Sequence, residues 1–225
     1  MCIWVESKIG RLEKDIDYLT SNSMAIPIIT EIPKRRKRVP SYLVYETLNG
    51  KPLYYRGYKE VLSGKKTPAE IMGSSSLQAA IVTAIVMFIG RTINRKKYLV
   101  ASSEAGLHID QGSNLSNDIA IFEKEGLVLT NKYFSTAPKI AIEVDVKIDL
   151  ELFPAHEQSY VYEKTERLLD FGVERVIWIT TQPQKIFVAS RSADWTTHNW
   201  NVGVPVLDDC VLNLAELLRE EGIDF

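Results

Sequence analysis

The chain has only two cysteines in 225 residues, Cys2 and Cys210, too few and too far apart for a disulfide framework or a cysteine-based metal ribbon. Its three histidines, His108, His156 and His198, are scattered, which leaves no ligand-like spacing for a histidine metal site and argues against a Ser-His triad. Long hydrophobic runs are missing as well. The most apolar stretch, 79–89, falls well short of the roughly 20 residues a bilayer span needs, so it is expected to be a buried helix and no membrane association is expected. Nor does one sign of charge dominate. With 27 basic and 29 acidic residues the net charge is −2, so any nucleic-acid contact must come from local patches. Phosphate loops, dinucleotide fingerprints, serine-hydrolase elbows and zinc-binding helices are all absent, as are internal repeats.

What is present is an ordinary globular composition, 45% hydrophobic and 25% charged, enough for one large core. Residues 1–40 differ in character from the rest. Leu12, Ile16 and Leu19 could line a short helix; a strongly basic run, Lys34 to Arg38, then lies between Pro33 and Pro40, as in a linker or arm. The division expected is an extension over 1–40 and one domain over 41–225. Met24, where the character changes, is a candidate translation start. The amino terminus lacks the features of a secretory signal, and a cytoplasmic location is the expectation.

From Tyr42 the pattern becomes regular. Two β-favouring runs, 43–48 and 52–56, flank Asn49-Gly50, a strong hairpin signal. Thr67-Pro-Ala-Glu70 and Ser75-Ser-Leu-Gln78 are capping boxes, the second opening an apolar helix over 77–90 that Gly90 can close. Strands are expected at 98–101, 117–122, 138–148, 174–180 and 185–189, and helices at 155–171 and 212–219. This order predicts a mixed α/β (α+β) domain.

The chemistry concentrates on one strand. In 138–148 the apolar residues Ile140, Ile142, Val144, Val146 and Ile148 take the even positions, so an unbroken strand would project Glu143, Asp145 and Lys147 from the other face. Two acids and a lysine suit a hard divalent ion with its bound water. The same alternation also describes any amphipathic strand with one wet face. Asp118, on the preceding strand, is the candidate for a further carboxylate. In the helix at 155–171, Lys164 falls on the apolar stripe with Val161, Leu168 and Phe171, where it either snorkels to the rim or points into a polar site.

At these residues the sequence resembles a bacterial restriction endonuclease-like family of the PD-(D/E)XK nuclease superfamily, over about residues 42–220. The resemblance rests on Tyr45 to Lys51, Gly73 to Gln78, Glu104-Ala-Gly106, Asn117-Asp118, Pro138 to Val144, Lys164 to Val173 and Arg175 to Ile179. It implies a restriction-endonuclease-like core: a mixed central β-sheet flanked by helices, with an N-terminal β-hairpin. It also implies Asp118 and Glu143 as ligands of Mg²⁺ or Mn²⁺, with Glu104 as a supporting acid. Asp145-Val-Lys147 meets the acid-x-lysine pattern literally, which makes Asp145 a further metal and catalytic candidate. The lysine is either Lys147 or Lys164, because in this branch it often comes from the helix. Two departures stand out: Asn117 replaces a proline, and Asp-Val-Lys-Ile follows Glu143 where the branch has a Ser-Pro loop.

The leading expectation is therefore a metal-dependent DNA endonuclease that works as a homodimer. A nuclease fold kept as a DNA-binding or assembly module is the alternative, and a hydrolase of other phosphodiesters is the third reading. Lys34 to Arg38 and Arg91 to Lys97 are the basic stretches that could meet phosphates; equally, they suit a solvated linker and a helix C-terminus. Sequence alone offers no aromatic stacking platform.

Overall fold

The computed structural model describes residues 38–225. The expectations on 1–37, including the short helix, most of the basic run and the alternative start, lie outside the described residues.

A β-hairpin opens the fold: β1 (Val44–Leu48) and β2 (Lys51–Tyr54) pair through Leu48 and Lys51. Asn49 and Gly50 both have positive φ, 51° and 76°, as the tight turn between right-twisted strands requires. Three helices follow, α1 (Tyr58–Leu62), α2 (Ala69–Met72) and α3 (Ser76–Thr92). Each expected capping box is half formed. Glu70 accepts from the Thr67 amide and hydroxyl at 2.7 and 2.8 Å, and Ser75 Oγ accepts from Gln78 N at 3.2 Å. However, α3 runs through Gly90 to Thr92, where Ile93 N still closes on Ile89 O.

Next come two long strands, β3 (Tyr98–Asp110) and β4 (Ser113–Glu123). The sequence suggested much shorter strands at 98–101 and 117–122. The difference comes from a bulge: Ser103 and Glu104 take left-handed backbone, φ 64° and 60°, and the ladder resumes at Ala105 opposite Asn117. The polar stretch 111–116 is mostly strand because Ser113 to Ser116 pair with β3 and Asn114 also pairs with Thr47 of β1.

The remaining elements are β5 (Ile140–Val144), α4 (His156–Phe171), β6 (Arg175–Thr180), β7 (Lys185–Ser190), β8 (Ala193–Asn199), β9 (Val204–Leu207), β10 (Cys210–Leu212) and α5 (Leu214–Glu220). The main sheet runs β2-β1-β4-β5-β6-β7-β8, with β3 also on β4. β5 is central. It pairs antiparallel to β4 and parallel to β6, with α4 as the crossover between the parallel pair. β9 and β10 form a separate small sheet.

Two apolar layers sandwich the sheet. On one face Ile140, Ile142 and Val144 pack with Ile81, Ile85 and Ile89 of α3 and with Leu217 and Leu218 of α5. On the other, Ala141 and Trp178 pack with Tyr160, Leu168 and Leu169 of α4. Each layer buries apolar surface at roughly 25 cal/mol per Å². The chain is thus a mixed α/β fold with a mixed central sheet flanked by helices. No helix among the described residues is long and apolar enough to cross a membrane.

The expected strand at 138–148 stops at Val144. Asp145 adopts left-handed backbone, φ 58°, and its amide donates to Ile179 O at 2.9 Å. Beyond this kink the chain crosses to the hairpin: Arg56 N donates to Lys147 O, Asp149 N to Tyr54 O (both 2.8 Å), and Ile148 bridges Tyr55.

Candidate active site

Register sets the first pair of groups. β4 and β5 pair through Ile119 and Ile142, so the next step places Asp118 beside Glu143. Both side chains turn to the α4 face of the sheet, and both residues are buried, 4% and 3% exposed. Asp118 Oδ2 accepts from Val144 N at 2.8 Å, which fixes the carboxylate across the strand pair.

Two lysines approach from opposite sides. Lys147 Nζ lies 2.9 Å from Asp118 Oδ1 and 3.2 Å from Glu104 Oε1, at the rim of the site. The bulge in β3 is what delivers Glu104 to this rim. Lys164 Nζ comes from α4 underneath, fully buried, 3.1 Å from both Glu143 Oε1 and Glu46 Oε2 and 2.7 Å from Ser116 O. Glu46 is buried too; Tyr160 Oη donates to its Oε1 at 2.6 Å and Ser116 N to its Oε2 at 3.2 Å. Asn117 Nδ2 donates to Glu143 Oε1, leaving Asn117 Oδ1 as a buried acceptor without a partner among the described residues.

Electrostatics follow from this geometry. Burial pushes the Glu143 carboxyl up, the Asp118 and Glu46 carboxylates push it further, and Lys164 with the Asn117 amide pull it back; it rests at about 8. Burial works against the Lys164 ammonium, but Glu143 and Glu46 outweigh it and raise its pKa above the ordinary lysine value. Lys147 behaves alike: desolvation opposes its charge, while Asp118 and then Glu104 raise its pKa, so it is an ammonium at neutral pH. The Tyr45 ring closes the site, 5.9 Å from Lys147 Nζ. Burial first, then Glu143, Glu46, Asp118 and Glu104, push its hydroxyl well above the ordinary value.

The structure brings together five of the six residues singled out from sequence: Asp118, Glu143, Lys147, Lys164 and Glu104. Asp145 stands apart. Its left-handed backbone breaks the alternation, and its carboxylate accepts from Thr181 N and Thr181 Oγ1, both at 2.8 Å, tying the end of β5 to the end of β6. The expected row of Glu143, Asp145 and Lys147 on one face is therefore corrected to Glu143 and Lys147.

Glu46 was missed. The signal was present: Glu46 lies two residues before the buried Leu48 on β1, an acid where an aliphatic is expected, as Lys164 is on α4.

Asp118 and Glu143 offer hard carboxylate oxygens side by side at the end of the β4–β5 ladder. Mg²⁺ is commonly held by one or two carboxylates, with water and phosphate completing its shell, so this donor set fits such an ion. Among the described residues no group of three His, Cys, Asp or Glu side chains is arranged to hold a metal by itself.

No family model matches the chain, and no curated protein matches it. Among solved structures, its fold matches a protein from Anabaena variabilis described as a "putative nuclease belonging to DUF820". The TM-score is 0.57 at 17% identity, over 77% of this chain and 89% of that one. At this identity the likeness is one of fold.

Proposed function

We propose that this chain is a metal-dependent phosphodiesterase that cleaves DNA, with Asp118 and Glu143 as the metal ligands. The observation that carries the reading is the adjacency of these two carboxylates on β4 and β5, with the Lys147 ammonium 2.9 Å from Asp118 at the rim. The match in fold to a nuclease-described protein supports it.

A divalent ion held by Asp118 and Glu143 would lower the pKa of its bound water and neutralise charge developing on the phosphate. The other parts belong to the chain. Lys147, kept protonated by Asp118 and Glu104, is no general base; as an ammonium it donates to the attacking water or to a phosphate oxygen. Lys164, sealed beneath Glu143, orients that carboxylate and offsets its charge. Glu104 positions Lys147, and Asp145 fixes the turn that delivers it. Cutting both strands would call for two copies of the chain, and a homodimer is part of this proposal.

One observation favours a second reading, a nuclease fold retained for DNA binding or assembly without cleavage: each metal-ligand candidate already has a lysine partner. Plasmid nicking with and without Mg²⁺ or Mn²⁺, run beside Asp118→Ala, decides between them. Metal-dependent nicking that disappears in the variant supports the enzyme. A folded wild type that binds DNA but never nicks it supports the binding module.

A further inference from the structure

Beside Lys147 the surface opens into a cleft of about 400 Å³, walled by the turn after β2, the α1–α2 segment and the chain just past β5. Its charged lining is Arg56, Lys66 and Lys147 against Glu60 and Glu70. The acids are not equivalent to the bases. Glu70 is folded onto its own helix cap, accepting from the Thr67 amide and hydroxyl. The Glu60 carboxylate lies over the Gly57 turn, its Oε2 3.5 Å from where a side chain at Gly57 would begin. Arg56 and Lys66 have no ion-pair partner among the described residues, and both are exposed.

The placement of Arg56 is built in. Its amide donates to Lys147 O at 2.8 Å, so the turn that presents the guanidinium is tied to the residue that presents the site's ammonium. Tyr55, on the same wall, packs edge-on against Tyr45 at 5.2 Å, and Lys147 belongs both to the cleft and to the carboxylate site, 2.9 Å from Asp118 Oδ1. Two unpaired cations beside a site for a phosphodiester are suited to the neighbouring phosphates of the same strand. Arginine can grip such a group with two parallel hydrogen bonds, and lysine acts as a point charge.

We propose that Arg56 and Lys66 form a phosphate-binding subsite that holds the nucleic-acid backbone next to the bond presented to Asp118, Glu143 and Lys147. The subsite deepens the reading of the chain as a DNA-acting protein and rests on it for the ligand, but not on cleavage.

The test is the binding of a fluorescein-labelled DNA duplex to the full chain in EDTA, followed by anisotropy across a salt series, with no divalent ion to permit cutting. Arg56→Ala/Lys66→Ala is compared with wild type and with Lys132→Ala/Arg219→Ala, which removes two exposed cations outside this cleft and outside the basic stretches. Losing two phosphate contacts should flatten the slope of log affinity against log salt by about 1.8, and weaken binding roughly tenfold or more near 0.1 M salt. Arg56→Lys/Lys66→Arg, which keeps both charges, should restore most of the slope. An unchanged slope in the cleft variant, an equal loss in the Lys132/Arg219 variant, or no DNA binding by wild type would each overturn the subsite. Failure of the cleavage reading shows separately, as absence of nicking in Mg²⁺ by a protein whose DNA binding still depends on Arg56 and Lys66.

Discussion

The Lys164 ammonium lies 3.1 Å from Glu46 Oε2, and both side chains are fully buried. Glu143 shares the same ammonium, so two buried carboxylates depend on one cation. Removing one partner of a buried ion pair costs about 3–5 kcal/mol, because the charges left behind have neither water nor a counter-ion. Lys164→Met should therefore lower the urea midpoint by an amount corresponding to several kcal/mol. Glu46→Leu/Lys164→Met should cost less than the sum of the two single changes, since Lys164→Met strands the Glu46 carboxylate and the double removes both members of that pair. A Lys164→Met protein as stable as wild type would mean that the lysine is not the anchor of Glu143.

Lys147 makes similar partners at the rim, where water can replace them. Lys147→Met should keep the fold, with a loss of about 1.5–3 kcal/mol, the usual range for a hydrogen bond to a charged group. Its effect on metal-dependent nicking should be far larger, about 10²–10³-fold, the range for removing one donor aimed at developing charge. Comparing denaturation midpoints with single-turnover rates for Lys147→Met and Lys164→Met separates the two lysines. Retained nicking in Lys147→Met would remove it from the chemistry.

Asp145 has a different task from Asp118 despite lying in the acid-x-lysine pattern. Its carboxylate holds Thr181, and its backbone takes the left-handed form that asparagine also tolerates. Asp145→Asn should leave nicking within about threefold of wild type, since an uncharged group at Thr181 changes no interaction special to the transition state. Asp118→Asn, by contrast, should abolish it. Equal losses in the two variants would place Asp145 among the ligands after all.

These residues also mark how far the sequence could be read. The hairpin at Asn49-Gly50, the starts of α2 and α3, the span of α4 and the first half of the central strand carry local signals, and each forms where those signals lie. The full lengths of β3 and β4 carried none, because the Ser103-Glu104 bulge and the polar residues of 111–116 are held by cross-strand pairing rather than by propensity. β8 was missed for a similar reason: Ala193 to Asn199 is a polar edge strand, mostly exposed, that exists through its pairing with β7. At the site, the pairing of Asp118 with Glu143 follows from register once the two strands are adjacent. The departure of Asp145 does not follow, because strict alternation assumes a strand that continues, and the tie to Ile179 and Thr181 is a tertiary contact. The inward placement of Lys164 was visible as a break in an apolar stripe. Its partner Glu46 was likewise an acid where an aliphatic is expected, and only the packing of α4 over the hairpin showed that the two meet.

The pKa of Glu143 gives the metal-free protein a pH dependence of definite sign. Its folded value, about 8, lies above the ordinary glutamate value of 4.5, so between these limits the native state holds a proton that the unfolded chain has released. Stability from this group is fully present below the unfolded pKa and is lost as pH rises through the folded one, with a slope of at most about 1.4 kcal/mol per pH unit. In EDTA, urea midpoints should therefore fall from pH 5 to pH 8.5. Glu143→Gln, which keeps the shape but cannot ionise, should flatten the fall. A midpoint rising over that range in wild type, or an equal fall in Glu143→Gln, would show that Glu143 is ionised in the folded protein throughout, with Lys164 and Asn117 outweighing its burial.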